Sequence, residues 1–132
     1  MGIFMDELKE RLKYEFDAKD KSFLIKLRIE LTWDHQHFIE ILKLFYKFNL
    51  NNENEVLLER DISDGFWYYA NFVKNWTSHE DFRYANKLSN DYFELAYELI
   101  YLSADWYFTG MSPYIEHVMF LDEIDNLSSL VF

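Results

Sequence analysis

The spacing of apolar residues divides the chain into helical segments. Phe4, Leu8, Leu12 and Phe16 follow one another at i+4 with charged residues between them, which predicts a first amphipathic helix over residues 4–16. A charged connection over residues 17–21 leads to a segment that carries two patterns. Over residues 23–31, Ile25, Leu27, Ile29 and Leu31 alternate with Lys26, Arg28 and Glu30 as in a strand, while Leu24, Leu27 and Leu31 sit at helical spacing. The pattern offers no partner strand elsewhere, so helix is preferred. Phe38, Ile41, Leu42, Phe45 and Phe48 predict a helix from Asp34 to Phe48, and the Asn-rich stretch 49–54 predicts an exposed loop. Periodicity resumes from Val56 to Trp76, interrupted at Ser63, Asp64 and Gly65 by a second cap signal that fits one bent helix or two short ones. Its inward strip is Phe66, Trp67, Ala70, Val73 and one of Tyr69 or Trp76.

The strongest signal is one long helix over about residues 79–109. Ser78 suits an N-cap, because its hydroxyl accepts from amides left unpaired in the first turn, and Asp81 completes a variant of the capping box. Phe82, Ala85, Ser89, Tyr92, Phe93, Ala96, Leu99, Ile100, Ser103, Trp106 and Tyr107 fall on one side as the core seam. Asp91, Glu94, Glu98 and Asp105 gather opposite them, with Tyr97 and Tyr101 at the margin. Gly110 supplies a left-handed stop, and Pro113 opens a last helix to Glu123 from its first position, presenting Tyr114, Val118 and either Leu121 or Met119. The apolar tail, Leu127 to Phe132, is expected to dock on the core. The architecture that follows is all-α, a compact bundle of five or six helices around the long central one, in a single domain over residues 1–132.

Composition agrees with that class. Half of the residues are hydrophobic and 20% are aromatic, too many for a disordered acidic chain. Three Gly and one Pro are few for the many turns of a sandwich or barrel. No repeat of fixed period recurs. The absence of Cys excludes disulfides and thiolate metal sites. No leader pattern or apolar run approaching the roughly 20 residues of a membrane span occurs. A soluble, cytoplasmic protein is the expectation.

Charge changes the picture more. Residues 1–47 hold nine acids and nine bases, residues 48–87 seven acids and four bases, and residues 88–132 eight acids and no Lys or Arg. The formal net charge of −11 therefore lies in the later part of the chain. Such a surface repels nucleic acid and anionic lipid and steers a basic protein toward itself.

Catalytic chemistry is weakly represented. Asp34, His37 and Glu40 share a helical face and form the best metal candidate, with His35 diverging from it. A four-helix di-metal site needs Glu-x-x-His repeats, which are missing, and Asp34 at a helix start suits the dipole on its own. His79 and His117 stand alone. No nucleophile elbow, phosphate loop or metalloprotease histidine pair occurs, and no cofactor is implied. The clusters Phe66–Tyr69 and Trp106–Phe108 cover more than one helical face, so some rings face outward.

Three functions are consistent with these features. The leading one is an acidic, non-enzymatic interaction module, such as an immunity protein or inhibitor that occludes a basic toxin nuclease. Its contact set would be Asp91, Glu94, Glu98 and Asp105 for steering, with Tyr97, Tyr101 and Tyr68 packing on the partner. The second is a small-molecule or cofactor binder with an aromatic pocket between helices. The third is a metal-dependent enzyme centred on His37 and Glu40. A homo-oligomer is compatible with each.

Overall fold

The computed structural model describes the backbone of residues 2–131 and the side chains of residues 4–131. Seven helices form among them: α1 (Gly2–Phe16), α2 (Phe23–Arg28), α3 (His35–Leu50), α4 (Arg60–Thr77), α5 (Glu80–Asn86), α6 (Asn90–Thr109) and α7 (Val118–Ser129). No strand occurs among the described residues, and the all-α bundle is the class of the fold.

Four of the helices close into a ring, α1 on α3, α3 on α6, α6 on α4 and α4 on α1. Side-chain pairs give their directions. Glu15 near the end of α1 meets His37 at the start of α3, and Tyr107 near the end of α6 meets Ser63 at the start of α4, so both pairs run antiparallel. Lys9 and Lys13 reach Glu59 and Asp61 in step, so α1 and α4 run parallel. The shorter α2 lies across α1 and α4, and α7 across α3 and α6. Inside the ring, Phe66 stacks on Tyr107 at 4.6 Å between centroids and meets Phe45 at 4.9 Å. Each such ring removes roughly 150–250 Å² from water, and burial of this kind holds the four helices together.

Local chemistry decides the ambiguous segment. The Ser22 hydroxyl accepts from the Ile25 amide, and the Glu15 carboxylate accepts from the Phe23 amide at 2.9 Å, so the first turn of α2 is satisfied from two sides. Phe23, Leu24 and Leu27 are buried, whereas Ile29 and Leu31 of the strand-like alternation face solvent.

Several boundaries differ from the sequence reading, the last helix among them, which runs to Ser129 rather than Glu123. The long helix over residues 79–109 is two helices, broken where Lys87 takes a left-handed conformation at φ 57° and Ser89, not Ser78, caps α6 through the Tyr92 amide at 3.1 Å. The break is held from a distance. The Asn86 amide donates to the Leu31 and Phe82 carbonyls, and its oxygen accepts from the Trp33 amide. Periodicity survives the break because Phe82 and Phe93 still face one core. Ser78 instead donates to the Asn75 carbonyl.

α4 begins at Arg60 rather than Val56 and runs through Gly65 without a break. Its inward strip is Ile62, Phe66, Tyr69 and Val73; Trp67 is exposed, and Trp76 is partly exposed with its indole N–H donating to the Leu27 carbonyl at 3.0 Å. The last helix starts at Val118, not Pro113, because residues 111–117 fold into turns in which the Ser112 hydroxyl accepts from the Tyr114 amide. In the tail, Leu127 is buried and Leu130 and Val131 pack against the core; Phe132 lies outside the described residues.

Candidate interaction surface

The metal candidate resolves into a bracket between helices. Asp34 caps α3 by accepting from the His37 amide at 3.1 Å, and the Lys26 ammonium lies 2.8 Å from its other oxygen and 3.0 Å from His37 Nδ1. An ammonium only donates, so Nδ1 accepts and Nε2 carries the hydrogen toward Glu15 Oε2 at 3.0 Å. Both ring nitrogens are engaged. Burial pushes the Asp34 carboxyl up, but the hydrogen bonds from Lys26 and the His37 amide outweigh it and hold the group below its ordinary value. Lys26 occupies the place of a cation between these ligands. Glu40 is exposed on the rim of a cavity of about 190 Å³ that His37 and Glu15 also line and Asp34 does not. Among the described residues no group of three or more His, Asp or Glu is arranged to hold a metal.

A second network fixes the start of α6. The Trp33 indole donates to the Tyr92 hydroxyl at 2.7 Å, the Tyr92 hydroxyl is hydrogen-bonded to His35 Nδ1 at 2.7 Å, and His35 Nε2 faces the Ser128 hydroxyl at 3.2 Å. Burial lowers the His35 pKa, partly offset by Asp34, and burial raises that of Tyr92 above its ordinary range. Helices α3, α6 and α7 are joined through these two groups.

With α6 fixed, its outer face presents Asp91, Glu94, Glu98 and Tyr101 to solvent, Tyr101 at 63% exposure, with Asp105 half-buried at the far end. Tyr97 is not at this margin. It is buried, its hydroxyl donates to Thr77 Oγ1 at 2.6 Å while Thr77 donates to the Val73 carbonyl, and Arg83 approaches from outside at 3.3 Å. Tyr68 belongs to another surface. It lies about 120° around α4 from Lys74, which faces the Tyr97 ring, and it stacks on Phe72 beside Phe16, Ala18 and Arg28. The structure thus brings together the four acids and Tyr101 of the expected set and separates Tyr97 and Tyr68.

The charge on this face is uncompensated. Lys9 pairs with Glu59, Lys13 with Asp61 and Lys26 with Asp34, all in the first half of the chain. None of the eight acids beyond residue 88 pairs with a base among the described residues.

At one end of the bundle, the loops after α3 and α6 carry exposed apolar side chains. The Glu53 carboxylate accepts from the Trp106 indole at 2.7 Å and lies 3.2 Å from His117 Nε2, fastening the loop after α3 to the loop after α6. Around this node Val56, Leu57, Met111 and Ile115 are 92%, 86%, 72% and 98% exposed. Leu57 and Leu58 border Phe48 and Tyr107, and Tyr107 packs edge-on against the exposed Phe108 at 5.1 Å.

No family model, curated protein or solved structure matches the chain. Function therefore rests on these surfaces. Among the described residues no helix is long and apolar enough to cross a membrane.

The exposed apolar end is what the sequence pattern missed. Val-Leu-Leu between Glu55 and Glu59 was absorbed into a helical period, although it follows an Asn-rich break and lacks the polar positions of an amphipathic turn. An aromatic cleft does exist, of about 370 Å³, but it lies at the surface between Leu31, Trp76, Phe82 and Ala85, with His79 and Asp81 at its edge. The space between the core helices is filled by rings.

Proposed function

We propose that the protein is an acidic, non-enzymatic interaction module that covers a basic partner, acting as an immunity protein or inhibitor does on a cationic toxin such as a nuclease. The observation that carries this reading is the run of acids on α6 and beyond, which no base in the described chain neutralises. Folding leaves these charges in water, where they repel one another, and a cationic groove would relieve that repulsion. Asp91 to Asp105 extend over about 21 Å of helix, a stretch long enough to fill a groove that accepts an anionic polymer. Occupation would exclude such a substrate by charge and bulk together. Tyr101 supplies an aromatic anchor within the run.

The test is stopped-flow association of the basic partner with wild type and with the Glu94→Lys, Glu98→Lys double variant. Both positions are exposed, so the fold should be unaffected. The variant should associate roughly ten-fold more slowly or worse, with a flatter dependence on salt and a less altered dissociation rate. Equal association rates at low salt would remove α6 from the interface. A second reading, a small apolar ligand at the Trp76–Phe82 cleft, draws support from that cleft's size.

A further inference from the structure

We infer that the apolar end around Glu53 is a docking site for a basic amphipathic segment, one that sets aliphatic or aromatic side chains between lysines or arginines. The inference rests on the basic-partner reading and deepens it, adding a surface distinct from the α6 face.

Exposure is the first ground. Isolated apolar side chains on a surface are ordinary, but Val56, Leu57, Met111 and Ile115 stand almost wholly in water on two loops fastened to one carboxylate. The node gives the loops a fixed posture. Glu53 is bonded to Trp106, whose ring packs on His117 at 5.4 Å, and a Cβ at Gly110 would sit 3.0 Å from the Glu53 carbonyl, so the two loop backbones touch there. The patch is thus partly preorganised, which lowers the ordering cost of binding.

Charge decides the occupant. Segments 51–59 and 105–123 together hold seven acids and no Lys or Arg; Glu59 is paired with Lys9, which leaves six without a Lys or Arg partner among the described residues, and Lys47 and Arg60 lie beyond the edges of the first segment. A second copy would bring the same acidic segments face to face. An anionic lipid surface would be repelled as well. A segment carrying apolar anchors with cationic flanks satisfies both the patch and its rim, as in helix-in-groove recognition.

The test is fluorescence anisotropy with three labelled peptides of about 18 residues. The first is helical and amphipathic, with leucines at i, i+3, i+4 and i+7 among lysines; the second replaces each Leu by Ser; the third replaces each Lys by Gln. The proteins are wild type, the Leu57→Ser, Ile115→Ser double variant and the Glu94→Lys, Glu98→Lys variant. The first peptide should bind wild type at least about ten-fold more tightly than either control, and the Leu57→Ser, Ile115→Ser variant should lose about that factor. Because Leu57 and Ile115 are 86% and 98% exposed, that variant should stay close to the wild-type melting curve.

Equal binding of the first two peptides, weakened only by Glu94→Lys, Glu98→Lys, would overturn the inference and leave the basic-partner reading in place. Equal binding of the first and third would overturn the role of charge at this end. No binding of either cationic peptide at low salt would overturn both. Concentration-dependent self-association of wild type, abolished by Leu57→Ser, Ile115→Ser, would assign the patch to a second copy instead.

Discussion

Gly65 sits in mid-helix, where its propensity disfavours the fold by about 1 kcal/mol relative to Ala. Its use is close approach. The Phe16 ring from α1 lies where a side chain would be, with Cδ2 2.0 Å from the site of an added Cβ, and the same ring meets Phe66 and Tyr69 edge-on. Gly65→Ala should therefore lower stability by about 1–3 kcal/mol despite its better propensity, seen as an earlier midpoint in urea. A later midpoint would mean that Phe16 gives way without loss. The sequence signalled a special residue at this position, but the reason lies on another helix, and no local rule distinguishes a packing glycine from a breaking one.

His35 is also legible only in part. Its place at the start of α3 followed from the apolar period, whereas its bond with Tyr92 required the tertiary fold. Burial depresses its pKa, so the unfolded chain binds the additional proton first as pH falls. Its contribution to stability is then fully present above the unfolded value of about 6.5 and lost as pH drops through the folded value. Comparing urea unfolding of wild type and His35→Asn from about pH 7.5 to about pH 5 should show the wild type losing more stability. Equal slopes would place His35 outside the linkage.

Among the elements, the break between α5 and α6 is the clearest difference from the sequence. Apolar positions keep one phase across it, and periodicity alone joins the two helices. The features that separate them are Asn86, which binds backbone more than 50 residues away, and a local cap at Ser89. The cap was readable from Ser89 and the acid in the turn after it; the long-range bonds were not. Ser89→Ala should cost about 1 kcal/mol, while Ser78→Ala should cost less, because Ser78 is exposed at the end of α4 with one long bond to the Asn75 carbonyl and caps no helix start. Thermal melts of the two variants test this, and the reverse order would restore the single helix. Helix α3 and the helical state of α2 were readable because amphipathic spacing and nearby caps agree there, and α1 was readable from its i+4 spacing. The loop before α4 departs from the pattern because Val56 to Leu58 mimic a buried turn while Val56 and Leu57 stand in water.

At the scale of the molecule, the division of charge was visible in the chain, and the fold preserves it as geometry. In the balanced stretch over residues 1–47, Lys9, Lys13 and Lys26 pair with carboxylates, whereas the acids after residue 88 pair with no Lys or Arg among the described residues. The acidic face of α6 was therefore legible, except that Tyr97 turned inward to satisfy Thr77 and Tyr68 belongs to another surface. The apolar end was not, since it is assembled from two loops joined by Glu53. The most direct measurement is native mass spectrometry of the tagged protein purified gently from its own host, read beside denaturing spectra of the same sample. The account predicts a stoichiometric complex with a basic protein that dissociates as salt is raised. A chain carrying only a small non-protein mass, with no protein partner, would contradict it and direct attention to the Trp76–Phe82 cleft.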